Sequence, residues 1–347
     1  MSAEEIRRES ARRTRRSFLA GAAAAAGGYG LYRYIDRAPG DQLLSRPLRK
    51  ALNFNEDVSR ALFDERALSP TYPVSRAQNL RINGNFGLKQ PLKLDSWRMQ
   101  MVGVDQPKRF PQYVDDVTAW DYQYAFGTTE DGGPSPKDRP AAVKPGPAAP
   151  GGAATAQDGP KDTLTPQLQA AFDESKKANE ANETRPDRGR EEAGQSDNTL
   201  NPGTPGLLLA MADIIRLPMH DLVTQFKCIE GWSQIVQWRG VRLADLLEAY
   251  PPAKNDKGEL PNHIYMETPD GDYYTGYEMK ECRHPQSLLV TEMMGKPLTQ
   301  EHGAPLRLHM PIKYGYKQIK RIGLIAYTDD RPDDYWTKLG YDWYAGL

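Results

Sequence analysis

The sequence predicts an α+β fold, and three observations carry the prediction. Short stretches alternating apolar and polar residues recur between residues 80 and 104 and again between 263 and 327. Helical spacing is confined to a few short segments. Strands and helices follow no regular βαβ rhythm.

Taken in chain order, residues 41 to 68 have helical spacing, with Leu44, Leu48 and Leu52 on one face and Ala61 and Leu62 on a later turn. Leu80-Arg81-Ile82-Asn83 and Trp97-Arg98-Met99-Gln100-Met101 read as half-buried strands, with the turn formers Asn83-Gly84 and Asn85-Phe86-Gly87 after the first. Order resumes at Leu207, where Leu208, Met211, Ile214 and Ile215 share a helix face, Asp213 and Arg216 point outward, and Pro218 ends the helix. Residues 222 to 229 form a strand with Cys228 near its exit, and residues 241 to 250 a short helix with Leu243, Leu246 and Leu247 inward. Residues 263 to 268 are a strand, and Asp270-Gly271 makes a tight turn into Tyr273-Tyr274. Between Pro305 and Met310, period two puts Leu306, Leu308 and Met310 on one face and Arg307 with His309 on the other. Residues 318 to 327 supply a late apolar strand.

The 347 residues allow one large domain or two small ones with a substantial core. A formal charge of −1 argues against a general nucleic-acid binder, which needs surplus cations to track phosphates. Positive charge is instead crowded at the start, in Arg7, Arg8, Arg12, Arg13, Arg15 and Arg16. Thr14-Arg15-Arg16-Ser17-Phe18-Leu19, followed by the weakly apolar stretch to Leu31, matches the twin-arginine export pattern. A flexible basic tail and an ordinary secretory signal are the plainer readings. The apolar run is short for a span of about 20 residues, and no clean small-x-small site precedes Asp36. Residues 1–35 are therefore expected to be a twin-arginine signal or a short retained anchor, and 36–347 a domain exported, already folded, to the periplasm. From about Gly127 to Thr204 the composition collapses into Pro, Gly, Ala, Asp and Lys, too polar to offset its ordering entropy. This stretch reads as a low-complexity insertion into one fold, with a short amphipathic helix between residues 164 and 182.

The two cysteines, Cys228 and Cys282, admit several readings. A disulfide suits an oxidising compartment, and two buried thiols suit a core. A third reading has one thiolate holding a metal whose other ligands come from elsewhere. Five scattered histidines form no zinc motif.

Two segments bear on this choice: Lys227-Cys228-Ile229-Glu230-Gly231-Trp232-Ser233 and Lys313-Tyr314-Gly315-Tyr316-Lys317-Gln318-Ile319-Lys320. Both resemble the molybdopterin oxidoreductases of the sulfite oxidase family, the first approaching that family's Cys-Val-Glu-Ala-Trp-Ser. The resemblance covers roughly residues 70 to 126 and 205 to 347. It is closest to the exported bacterial branch that includes periplasmic methionine sulfoxide reductase. It implies a sulfite oxidase-type fold and a molybdenum-molybdopterin cofactor whose dithiolene supplies the remaining sulfurs. Cys228 becomes the single protein ligand to the metal, deprotonated on binding, and Cys282 a buried thiol.

The same resemblance assigns Thr268, Arg307, Gln318, Ile319 and Lys320 to the cofactor, with Gly315 letting the chain approach it closely. His302, in His302-Gly303-Ala304-Pro305, stands where relatives carry Asn, and brings a group whose charge can change near physiological pH. Tyr72, in Ser69-Pro70-Thr71-Tyr72-Pro73, is the best match to the branch's Asn-rich segment. Glu230, Trp232, Arg239 and Lys313 are candidates for shaping a substrate pocket. The implied function is an exported oxidoreductase transferring an oxygen atom on a sulfoxide, N-oxide or sulfite-like small molecule, in either direction. The sequence holds no CxxCH haem site, so electrons are expected to pass through a separate membrane haem protein or soluble cytochrome. A monomer is expected. The competing reading is a metal-free exported binding module closed by a Cys228–Cys282 disulfide.

Overall fold

The computed structural model describes residues 24–41, 44–62, 66–88, 90–124 and 193–347. The twin-arginine motif and most of the expected insertion, including its helix at 164–182, lie outside the described residues.

Residues 24–37 are helical, and helix α1 follows at Arg46–Leu62. Strands β1 (Met99–Val102), β2 (Tyr113–Val114) and β3 (Gly206–Leu209) precede helix α2 (Met211–Ile215). A long hairpin then joins β4 (Met219–Lys227) to β5 (Ser233–Arg242), which runs directly into helix α3 (Leu243–Ala249). Strands β6 (His263–Glu267) and β7 (Tyr274–Glu278) lead to the single-turn helix α4 (Met279–Cys282). The remaining elements are β8 (Leu288–Met293), β9 (Lys296–Pro297), β10 (Arg307–His309), β11 (Leu324–Thr328) and helix α5 (Tyr335–Lys338).

Apart from a two-residue pairing of Gly40–Asp41 with Leu44–Ser45, the strands form two sheets, in keeping with an α+β fold. One is six-stranded in the order β2-β3-β1-β11-β6-β7; the other is five-stranded in the order β9-β8-β5-β4, with β10 also on β8. Of the pairings between these strands, only β1 with β11 is parallel. Each sheet has its own apolar cluster. Met99, Met101, Leu207, Leu209, Ile264, Met266 and Ile325 meet Leu243, Leu246 and Leu247 of α3 in the larger one. Each fully buried leucine of α3 is worth about 1.5–3 kcal/mol relative to exposure. Phe226, Cys228, Val236, Trp238, Leu288 and Val290 make the smaller one.

β10 belongs to both clusters. Leu306, Leu308 and Met310 enter the larger core, whereas Arg307 and His309 lie against Trp238 of the smaller. This is the alternation the sequence predicts. The close approach of β5 to β8 that makes it possible needs Gly240, where a Cβ would lie 2.1 Å from the Leu289 carbonyl oxygen.

Several elements differ from expectation. Gly206–Leu209 is a strand rather than helix, because Leu207 and Leu209 are wholly buried between β1 and β2. Residues 80–83 form no strand. The late strand begins only at Leu324, and a 3-10 turn occupies Gly315–Lys317 before it. The stretch from Ala193, read as the end of the insertion, is pinned to the domain: Asp333 N–H donates to Asn198 Oδ1 (2.8 Å) and Tyr274 OH to the Gly194 carbonyl (3.1 Å). Helix α1 forms as expected, but Leu48 and Leu62 are 42% and 83% exposed and the residues it buries are Arg49 and Glu56.

Asp334 ties the C-terminal segment together. It caps α5 through Trp336 and Thr337 N–H and accepts from Lys317 Nζ (2.6 Å) and Thr275 Oγ1 (2.8 Å), all in the interior. Asp334→Ala would leave the Lys317 ammonium buried without a counter-charge, so a loss of about 3–5 kcal/mol is expected in urea unfolding. A loss below about 1 kcal/mol, the range of an exposed pair, would contradict this account.

Candidate functional site

The thiol comes first. The β4–β5 hairpin closes with Lys227 opposite Ser233, and its tip is built by Cys228 N–H donating to the Trp232 carbonyl (2.9 Å) and Gly231 N–H to the Cys228 carbonyl (3.1 Å). Gly231 takes φ +90°, a left-handed conformation that glycine adopts without steric cost. The tip sets Cys228 Sγ 3.7 Å from Asn83 Nδ2 and 3.7 Å from Glu230 Oε2. Trp232 Nε1 (3.0 Å) and Asn83 Nδ2 (3.2 Å) both donate to that carboxylate, and the Trp232 ring stacks on Phe226. Burial, reinforced by the Glu230 charge, pushes the Cys228 thiol up to about 11. It is therefore a neutral thiol at pH 7 until a metal displaces its proton.

A cluster of cations stands behind it. Leu308 N–H donates to the Ile319 carbonyl and Ile322 N–H to the Leu306 carbonyl, both 2.9 Å, clamping 319–322 alongside 306–308. Arg307 is 1% exposed, yet its Nε has no hydrogen-bond partner and its Nη1 reaches only the His302 carbonyl (3.2 Å). Its guanidinium lies 4.9 Å over the Trp238 ring, and burial lowers it to about 10. Lys320 Nζ donates to the Asn83 (2.8 Å) and Gly84 (3.0 Å) carbonyls; burial, then the Arg307 charge, brings it down to about 7. His302 is buried with Nδ1 unpartnered, and burial, then Arg307 and Lys320, hold it at about 4. Gly303, at φ +94°, makes this crowding possible, since a Cβ there would sit 2.7 Å from Lys320 Cβ and 2.8 Å from Arg321 N.

Asn83 joins the two halves, reaching the thiol with its side chain and Lys320 with its carbonyl. One soft ligand and a buried, unpaired guanidinium suit an anion that brings its own metal and most of the metal's ligands. The residues present therefore fit a molybdopterin.

Not every residue expected at this site is brought to it. Gln318 and Ile319 are buried: Gln318 binds His309 Nδ1 (2.7 Å) and the Lys313 carbonyl (2.9 Å), and Ile319 fills the larger core. Their contribution is to place Lys320. Thr268 commits its hydroxyl to Asp270 (2.6 Å) and the Tyr273 turn, and supports the site through Gly87, where a Cβ would lie 2.3 Å from its methyl. Tyr72 pairs with β4 through the Val223 carbonyl, with its ring under Arg76, because β4 is an edge strand that offers free backbone groups there. Gly315 is packed against the Phe226 ring, where a Cβ would lie 2.4 Å away, so it permits β4 to be covered. Arg239 makes an exposed pair with Asp221 (2.6 Å). Lys313 is wholly buried against Glu281 and the Tyr344 ring. The residue missed is Asn83, read only as a turn former. Arg321 was also missed; it donates to the Gln90 carbonyl (2.7 Å) and to Gln300 Oε1 (2.7 Å), lacing the 83–90 segment in place. The two cysteines are free and lie in different apolar clusters, so the disulfide on which the binding-module reading depends is absent.

The low His302 value yields a direct check. The unfolded imidazole binds its proton near 6.5, the folded one only near 4. The unfolded chain thus holds more protons between those values, and the stability this residue contributes is lost as pH falls through that window. In the cofactor-free chain, NMR titration is expected to show His302 neutral at pH 6, with Arg307→Met and Lys320→Met each moving its midpoint upward. A midpoint unchanged by both substitutions would show that the cations do not act on it.

Comparison with known proteins agrees with this geometry. Residues 203–336 match the family described as the oxidoreductase molybdopterin binding domain. The catalytic subunit of protein-methionine-sulfoxide reductase, MsrP, from Campylobacter jejuni is 35% identical over 155 residues, 41% of this chain and 52% of the relative. MsrP from Xanthomonas campestris is 32% identical over 142 residues, 38% of this chain and 44% of the relative. The chain spans about half the length of the curated relatives it matches. Among solved structures, the sulfane dehydrogenase SoxCD from Paracoccus pantotrophus aligns over 36% of each chain with a TM-score of 0.32 and 19% identity. Over residues 203–336 the chain is thus similar to the oxidoreductase molybdopterin binding domain.

Proposed function

We propose that this protein is an exported molybdopterin-dependent oxidoreductase that reduces a sulfoxide. The observation that supports it most is the pairing of one soft thiol with one buried guanidinium that has no anion of its own. Cys228 would hold the metal, and Arg307, Lys320 and His302 the phosphate-bearing tail of the pterin. When bound, the cofactor supplies two-electron oxygen-atom transfer, by which a sulfoxide takes up two electrons and two protons and leaves as sulfide and water.

The protein's own residues set the surroundings. Asn83 orients the thiol through its amide, and Trp232 and Asn83 together fix the Glu230 carboxylate beside it. The charge in contact with the thiol is therefore negative, which disfavours approach of a small dianion such as sulfite and tolerates a neutral sulfoxide. The relatives named as methionine sulfoxide reductases favour the same direction. Electrons are assigned to a separate membrane haem protein or soluble cytochrome, since the sequence offers no CxxCH. Export is assigned to Arg15-Arg16 and the apolar stretch that follows.

Protein matured in a molybdopterin-producing host is expected to carry molybdenum stoichiometrically and to reduce methionine sulfoxide with an artificial donor. Trimethylamine N-oxide and sulfite serve as the comparison substrates. Cys228→Ser should abolish turnover without unfolding the chain; full turnover in that variant would refute its role. Arg307→Ala removes charge-assisted hydrogen bonds worth about 1.5–3 kcal/mol, so cofactor retention should fall ~10–100-fold. Undiminished retention would place the phosphate elsewhere.

A further inference from the structure

Helix α1 faces the reverse of the usual way. Its polar side is seated on the domain. Arg49 donates to the Thr337 carbonyl (2.9 Å), Glu56 accepts from Arg60 (2.9 Å) and Arg331 (2.9 Å), and Arg60 also pairs with Glu278 and lies 4.2 Å over the Tyr344 ring. Its apolar side points to solvent. Phe54, Val58 and Leu62, spaced four residues apart on one stripe, are 66%, 41% and 83% exposed, with Leu48 beside them at 42%. A surface helix ordinarily buries that stripe and exposes its charges.

The neighbouring chain narrows what covers this face. In the helical stretch 24–37, Tyr29, Tyr32 and Tyr34 are each at least 60% exposed. Basic residues Arg33, Arg37, Arg46 and Lys50 interleave with the aromatic and apolar ones, against Asp36, Asp41 and Asp57. Exposed tyrosines beside basic residues and an apolar stripe are the composition of a helix that lies at a headgroup boundary. Excess positive charge complements anionic lipid. No described helix is long and apolar enough to cross a membrane, so the chemistry fits lying on the surface. Arg46–Leu62 also lies beyond the expected signal at 1–35, so its face persists whether or not that signal is removed.

We propose that the outward face of α1, formed by Leu48, Phe54, Val58 and Leu62, docks onto the surface of a lipid bilayer. The polar contacts of Arg49, Glu56 and Arg60 hold the helix rigidly on the domain while its apolar side inserts at the headgroup–acyl boundary. Nothing in this depends on the redox chemistry.

The test uses the full chain with Val58→Cys carrying an environment-sensitive fluorophore, alongside an identically treated unsubstituted chain to account for Cys228 and Cys282. Vesicles of phosphatidylglycerol and phosphatidylethanolamine are the probe. Co-flotation with the vesicles together with a blue shift of the dye is expected. Phe54→Asp, whose fold is verified by circular dichroism, should lower the partition coefficient ~tenfold or more, as loss of one inserted aromatic requires. Flotation with no shift of the dye would mean that the residues before α1 bind alone, and would overturn the proposal. A shift that grows with protein concentration without vesicles would assign the face to a second copy and overturn it equally. Absence of vesicle binding by the folded chain is the third refuting result.

Discussion

The constraint on which this structure turns is a positive charge placed where nothing neutralises it. The interior of the domain holds other cations, and their treatment makes the contrast. Lys313 is paired with Glu281, and Lys317 with Asp334. Arg321 spends its guanidinium on backbone carbonyls and a side-chain amide. Arg307 shares an orphaned Nε with Arg321 and an aromatic ring with both lysines, but among these four it is the one held by a single long hydrogen bond to a carbonyl. A buried ion without a partner costs several kcal/mol even after relaxation, and a cation–π contact recovers only about 2 kcal/mol when desolvated. The backbone carries the difference. β10 is paired to β8 on one side and clamped by 319–322 on the other, so the backbone that carries Arg307 is held in the interior. An anion arriving there relieves an existing cost, and its binding adds to the stability of the fold.

The thiol is coupled to that charge through a single side chain. Asn83 contacts Cys228 with its amide and Lys320 with its carbonyl, and Lys320 lies within the field of Arg307. On the proposed reading, metal ligation at one end and phosphate recognition at the other would share the 83–90 segment. That segment is laced by Arg321 and pressed by Gly87 onto Thr268. Residues that carry no ligand atom, such as Thr268 and Gln318, bear on the site by fixing the position of ones that do.

How much of this was legible in the sequence depends on the range of the interaction involved. The β10 alternation was readable because period two is a local property, and it put Arg307 and His309 on the face opposite Leu306, Leu308 and Met310, as the structure does. Cys228 at a strand exit and the Asp270-Gly271 turn are equally local. Gly206–Leu209 was misread because a short apolar run has no period to distinguish strand from helix; two flanking strands decided it. Asn83 was passed over because Asn-Gly is an ordinary turn signal, and its amide acquires meaning only when the β4–β5 tip folds against it across more than a hundred residues. The face of α1 was inverted for a similar reason. Its spacing announces an amphipathic helix but not which side meets the domain, and here buried arginine and glutamate found partners at Thr337, Arg331 and Glu278.

His302 shows how a substitution of residue type can preserve a site's electrostatics. Where the resemblance implies a neutral amide, an imidazole threatens to add a third positive charge beside Arg307 and Lys320. Burial and those same two cations prevent it, holding the ring neutral far below physiological pH. A neutral imidazole still offers one donor and one acceptor, and the unpartnered Nδ1 leaves one of them uncommitted. The histidine thus keeps the hydrogen-bonding capacity of an amide without its charge cost, on condition that the cluster stays crowded.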